Sequence, residues 1–162
     1  MKKLMLSIAI VFSTVFFTAA QEIGLQLYSI RNEVKTDLKG TLEKVRAMGI
    51  RELEGGDLYG MDVHSYRKLL DGLGYKMVSI GVDYNELNGD LSKTIAQAKA
   101  LGATYVVCFW IGHNGNEFGP KEVEEAAARF NRGGKILKEA GHEESLRGMA
   151  YSYKDRAIDV DD

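Results

Sequence analysis

Trp110 and His113 stand three residues apart where an apolar run, TYVVCFW over 104–110, gives way to the glycine-bearing stretch GHNGNEFG over 112–119. An indole stacks well on the apolar face of a sugar ring, and an imidazole beside it donates a hydrogen bond or a proton. The plainer alternative keeps Trp110 as core and His113 as a loop side chain. Glu54 precedes Gly55 and Gly56, a pair that lets a ligand or another stretch of backbone come close. Its lone carboxylate accepts hydroxyl groups, supports a neighbour that does so, or simply ends a strand in solvent. Tyr28 lies late in the first apolar segment and Asp83 follows the third, where an Asp more often caps the next turn than acts electrostatically. His64 falls on a helical segment and receives no role.

Several chemistries are not written in these residues. The stretch over 112–119 lacks the Lys-Ser/Thr of a phosphate-binding loop and misses the dinucleotide glycine spacing. No GxSxG occurs, so nucleophilic hydrolysis has no support. The single cysteine, Cys108, has no internal disulfide partner and lies within the apolar run, where a thiol is buried and inert. The formal net charge is −2, and no basic stripe is interleaved with aromatics, so a nucleic-acid partner is not expected.

Positioning these residues falls to a repeated pattern of short apolar strand, glycine-containing turn and amphipathic helix. Strands start near residues 23, 50, 76 and 104, spacings of 27, 26 and 28 residues. A (β/α) barrel uses roughly 31 residues per unit, so four such units predict an α/β fold of TIM-barrel type that stops after about four βα units. An open parallel sheet is the alternative, though no phosphate-binding loop follows strand one. Strand one is predicted over 23–30, with Gln26 and Tyr28 sharing a face, and its helix carries Leu38, Leu42 and Val45, capped by Thr36 or Asp37 and ended by Gly49. The second unit pairs 50–54 with a helix over about 62–73 that buries Val63, Tyr66, Leu69, Leu70 and Leu73; the third pairs 76–82 with a helix over 90–101. The fourth strand, 104–112, reads as buried on both faces, and Pro120 opens a helix to about 139 through Val123, Ala127, Phe130 and Leu137. Gly133 and Gly134 weaken that helix.

Both ends read differently. Lys2 and Lys3, the apolar stretch 4–17 and the small residues Thr18, Ala19 and Ala20 form a secretory signal, with cleavage expected after Ala20, a periplasmic or secreted location and a mature net charge of −4 once both lysines are gone. The stretch is shorter than the roughly 20 residues that span a bilayer, so no stable membrane anchor is expected. The domain then covers 21–141. Residues 142–162 contain no apolar run of strand length and read as an irregular tail of a truncated or frameshifted chain.

The strings GLQLYSIRNEV (24–34), GTLEKVRAMGI (40–50), ELEGGDLYG (52–60) and YNEL (84–87) resemble the sugar phosphate isomerase/epimerase family, whose fold is the xylose-isomerase-like barrel. The resemblance covers about 23–141, the N-terminal half of such a barrel. It implies a sugar substrate and a divalent metal such as Mn or Mg that stabilises an enediolate while carboxylates move a proton beside the sugar carbonyl. The family's metal-binding Glu, Asp, His and Glu come mainly from strands five to eight, so no metal site carries over and no cofactor is assigned to this chain alone. Relatives often place a histidine late in strand three within a Ser-x-His pattern; aligning Ser79 puts Gly81 there. His142, Glu143, Glu144, Asp159, Asp161 and Asp162 read as a solvated acidic tail instead. Glu54, Trp110, His113 and Tyr28 are thus the expected sugar-contacting residues. The chain is expected to be inactive alone, and a noncatalytic sugar-binding remnant is the alternative. A half barrel also leaves strands one and four as unpaired edges, which favours self-association.

Overall fold

A computed structural model describes residues 23–111 and 119–141. Strand β1 (Gly24–Gln26) runs into a 3-10 turn (Leu27–Ile30), helix α1 (Arg31–Thr36) and helix α2 (Leu38–Ala47). Then come β2 (Glu52–Gly55), α3 (Val63–Gly72), β3 (Lys76–Gly81), a second 3-10 turn (Glu86–Asn88), α4 (Ser92–Leu101), β4 (Tyr105–Val107) and α5 (Pro120–Glu139). The strands form one sheet in the order β1-β2-β3-β4, every neighbouring pair parallel. A helix returns the chain between consecutive strands, so the fold is α/β of the (β/α) TIM-barrel type. Among the described residues no helix is long and apolar enough to cross a membrane. The segment expected to be a secretory signal, the residues after 141 and His113 lie outside the described residues.

Helix limits follow local chemistry. Asp37 caps α2 by accepting the Gly40 amide at 2.9 Å, and Asp62 caps α3 by accepting the His64 and Ser65 amides, both at 3.0 Å. Gly74 (φ 72°) and Gly102 (φ 68°) turn the chain out of α3 and α4 in the left-handed conformation that costs a glycine least. The helices lay Leu42, Val45, Tyr66, Leu70, Ala98 and Leu101 against Leu53, Met77, Ile80 and Val106 of the sheet. Tyr75 locks the layers by donating its hydroxyl to the Leu42 carbonyl at 2.7 Å.

Three expectations need correction. Strand one ends at Gln26, because the chain turns so that Leu27 packs onto Gly55, where a Cβ would sit 3.1 Å from Leu27 Cδ1. Tyr28 therefore lies in the 3-10 turn and shares no strand face with Gln26. Strand four ends at Val107 and not at 112; Cys108 stays buried, but Phe109 is 47% and Trp110 67% exposed, which overturns Trp110 as core. Helix α5 has the predicted limits but buries Ala126, Gly133 and Leu137, with Phe130 partly buried, whereas Val123 and Ala127 face solvent. Gly133 is needed for closeness: a Cβ there would lie 2.8 Å from Leu87 Cδ2, so this bare stretch of helix is where α5 rests on the 3-10 turn after β3.

Candidate functional site

The parallel register brings Gln26, Glu54 and Ser79 side by side at the ends of three strands, since Gln26 pairs with Glu54 and Glu54 with Ser79. Gln26 Nε2 donates to Glu54 Oε1 at 2.9 Å, and Ser79 Oγ donates to Glu54 Oε2 at 2.7 Å. Both carboxylate oxygens are thus engaged, and the 3% exposure of Ser79 keeps water from competing on that side. Glu54 is not a solvated strand end, and each of its oxygens keeps a further lone pair beyond the bond it accepts. It is the tie that fixes the Gln26 amide and the Ser79 hydroxyl.

Beyond this row, on the C-terminal side of the strands, opens a cleft of about 730 Å³. Parallel strands with returning helices place binding residues at this end, because the loops and the first helical turns gather there. Gln26, Tyr28, Gly55, Gly56, Gly81, Asp83, Phe109 and Trp110 all line it, as do Arg31, Lys35, Lys93 and Gln97. Two of the expected sugar-contacting residues, Tyr28 and Trp110, are therefore brought to one cleft, while Glu54 is not among the residues that line it and is hydrogen-bonded to one that is, Gln26.

Tyr28 is 69% exposed and carries the Arg31 guanidinium 4.6 Å above its ring centroid. Arg31 Nη1 also donates to the Tyr28 carbonyl at 3.1 Å, so the pair is held as one unit. Asp83 takes its turn-capping role, accepting the Asn85 amide at 2.8 Å. Gln97 Nε2 donates to the Gly56 carbonyl at 2.6 Å. Cys108 donates its thiol to the Trp110 carbonyl at 3.2 Å, and burial above all pushes the thiol's pKa up, which keeps it protonated and unreactive. On the other side of Trp110 a smaller hollow of about 290 Å³ is lined by Tyr84, Glu122, Glu125 and Arg129, with Arg129 Cζ 4.5 Å above the Tyr84 ring.

The glycines near the cleft serve the chain's own packing. A Cβ on Gly56 would lie 3.1 Å from the Gly81 backbone nitrogen, and one on Gly81 would lie 3.0 Å from Phe109 Cε2. The strand-three position expected to differ from relatives is thus covered by a phenyl ring. Sequence reasoning missed Phe109, because it reads as part of a buried run, and it missed Arg31, Lys35, Lys93 and Gln97. A signal for the last four existed: each pair is spaced i, i+4 on a helix following a strand, and Arg31 and Lys93 sit in first turns, next to the strand ends.

No family model and no curated protein matches the chain. Among solved structures it is similar to a sugar phosphate isomerase/epimerase from Parabacteroides distasonis ATCC 8503, with a TM-score of 0.58 and 23% identity over 78% of this chain and 50% of that one. The chain spans about half the length of that protein, and what the two have in common is the fold: parallel strands alternating with helices in the barrel manner.

Proposed function

We propose that the chain is a sugar-binding unit related to the sugar phosphate isomerases/epimerases, and that the cleft beyond the strand ends receives a monosaccharide. The observation that carries this reading is the convergence of exposed Tyr28 and Trp110 with the fixed amides of Gln26 and Gln97 on one cleft, which is roomy enough for a monosaccharide. The likeness in fold to a protein named for such a substrate, and the strings over 24–34 and 52–60, support it. Glu54 contributes by orienting Gln26.

When bound in such barrels, a divalent ion supplies Lewis acidity to the oxygens beside the reacting carbon. Among the described residues the set for that ion is not gathered: no three His, Cys, Asp or Glu side chains converge, and Gly81 offers no ligand atom. The reading given to the described residues is accordingly to bind and orient a sugar, and no proton transfer is assigned to them.

Titration of the isotopically labelled chain with a panel of monosaccharides should shift the signals of Tyr28, Gln26 and Trp110 with a dissociation constant on the order of millimolar, about 4 kcal/mol. Calorimetric titration with Mn²⁺ or Mg²⁺ should stay flat. Shifts confined to helix residues such as His64 would remove the cleft from consideration, and micromolar metal binding with chelator-sensitive sugar turnover would replace the noncatalytic reading by an enzymatic one.

The sheet bears on assembly as well. Among the described residues β1 and β4 each pair on one side only, and exposed strand edges promote pairing between chains. We expect dimers or larger species in analytical ultracentrifugation, and a compact monomer at every concentration would count against association through these edges.

A further inference from the structure

Gly81 and Phe109 form a built feature that the sugar reading alone does not require. Gly81 ends β3, and its backbone nitrogen is crowded from one side by Gly56, where any Cβ would approach to 3.1 Å. On its own Cα side the Phe109 ring comes so close that a Cβ would meet Cε2 at 3.0 Å. The ring is therefore seated on bare backbone at the end of a central strand. Its underside is supported by the sheet, and with 47% of the residue exposed it presents surface to the cleft.

We propose that Phe109, seated on Gly81, is the platform on which the cleft receives the apolar C–H face of a pyranose ring, with the carbonyl oxygens of Gln26 and Gln97 accepting hydroxyl groups at the ring's edge. The inference rests on the sugar-binding reading above and names the class of sugar. Aromatic faces attract weakly positive C–H bonds, so a ring with an unbroken axial-hydrogen face gains more from Phe109 than an open-chain polyol of equal hydroxyl count. Each amide is already oriented by one N–H, Gln26 toward Glu54 and Gln97 toward the Gly56 carbonyl. Among the described residues neither amide oxygen is used, which leaves two fixed acceptors lining the same cleft as the platform. Trp110, the next residue and more exposed, flanks the ring and reports on its arrival.

The experiment titrates the full chain with methyl β-glucopyranoside and, in parallel, with sorbitol, following both NMR shifts and the fluorescence of Trp110. The pyranoside should bind at least about tenfold more tightly than sorbitol. Phe109→Leu keeps an apolar side chain but no aromatic face, and it should weaken the pyranoside about tenfold while leaving sorbitol and the far-UV circular dichroism unchanged. Gly81→Ala, which pushes the ring off its seat without touching it chemically, should produce the same loss. Equal binding of the two ligands, or pyranoside affinity unaffected by Phe109→Leu, overturns the platform while leaving sugar binding intact. A wild-type chain that binds neither ligand overturns the sugar-binding reading together with the platform.

Discussion

Leu53→Ala is expected to lower the free energy of unfolding by about 2–5 kcal/mol, the range for deleting a leucine side chain from a site that cannot collapse around the gap. Leu53 lies on β2, an inner strand of the sheet, and is fully enclosed in the core. Its neighbour Glu54 makes the informative comparison. Glu54→Ala leaves the buried Ser79 hydroxyl and the Gln26 amide without their acceptor, at about 1–3 kcal/mol for an unpartnered buried group. The two variants should separate in function: Glu54→Ala should also weaken sugar binding, since Gln26 is no longer aimed, whereas Leu53→Ala, at temperatures where it remains folded, should not. Urea unfolding followed by circular dichroism gives the first quantity and the sugar titration the second. If Leu53→Ala costs less than about 1 kcal/mol, Leu53 is not a core residue of the packed kind described.

The second large effect carries the opposite sign. Tyr66 is completely buried on α3, and its hydroxyl has no hydrogen-bond partner among the described residues. Its ring leans on Tyr59 with centroids 6.0 Å apart. Tyr66→Phe removes an unsatisfied polar atom without changing the packing, so it should stabilise the chain by about 1–3 kcal/mol. The same burial, helped by Tyr59 and Asp57, pushes the Tyr66 phenol well above its ordinary value. The folded state therefore holds the neutral phenol where the unfolded chain would ionise. Stability from this group is complete below about pH 10, the ordinary phenol value, and drains away as pH rises through the higher folded-state value. Tyr59, Tyr75 and Tyr84 are raised by burial as well, so the wild type should weaken steadily in alkali and Tyr66→Phe should weaken less steeply. Urea midpoints at about pH 8 and about pH 11 measure both slopes, and equal slopes would contradict this placement of Tyr66.

Much of this architecture could be read in advance where local rules decide it. Asp37 as a cap, Gly49 as a stop and Pro120 at the head of α5 each act within four residues, and each is found in its expected place. What escaped depends on contacts across the repeats. Alternation over 23–30 reads as one strand, but the turn at Leu27 answers to Gly55 from the next unit. The run TYVVCFW reads as uniformly buried, yet the chain has left the sheet by Cys108, so Phe109 and Trp110 emerge into the cleft. For Glu54 the sequence left open whether it accepts hydroxyls itself, supports a neighbour or ends a strand in solvent, and named no partner for it. Its true partners stand 28 residues before and 25 residues after it, close to one repeat in each direction, and only stacking the repeats in register brings the three together.

The strand order has a consequence for how the chain acquires its shape. Every strand pairs with the next one in sequence, Gly24 with Glu52, Glu52 with Lys76 and Ser79 with Tyr105. Each pairing closes a loop of nearly constant length, so the entropy spent on closure is about the same at every step and does not grow with the chain. Synthesis delivers the units in the order in which they pair. The first two strands and the helices between them can meet while the fourth is still on the ribosome, and each completed pair then presents a ready edge to the strand that emerges after it.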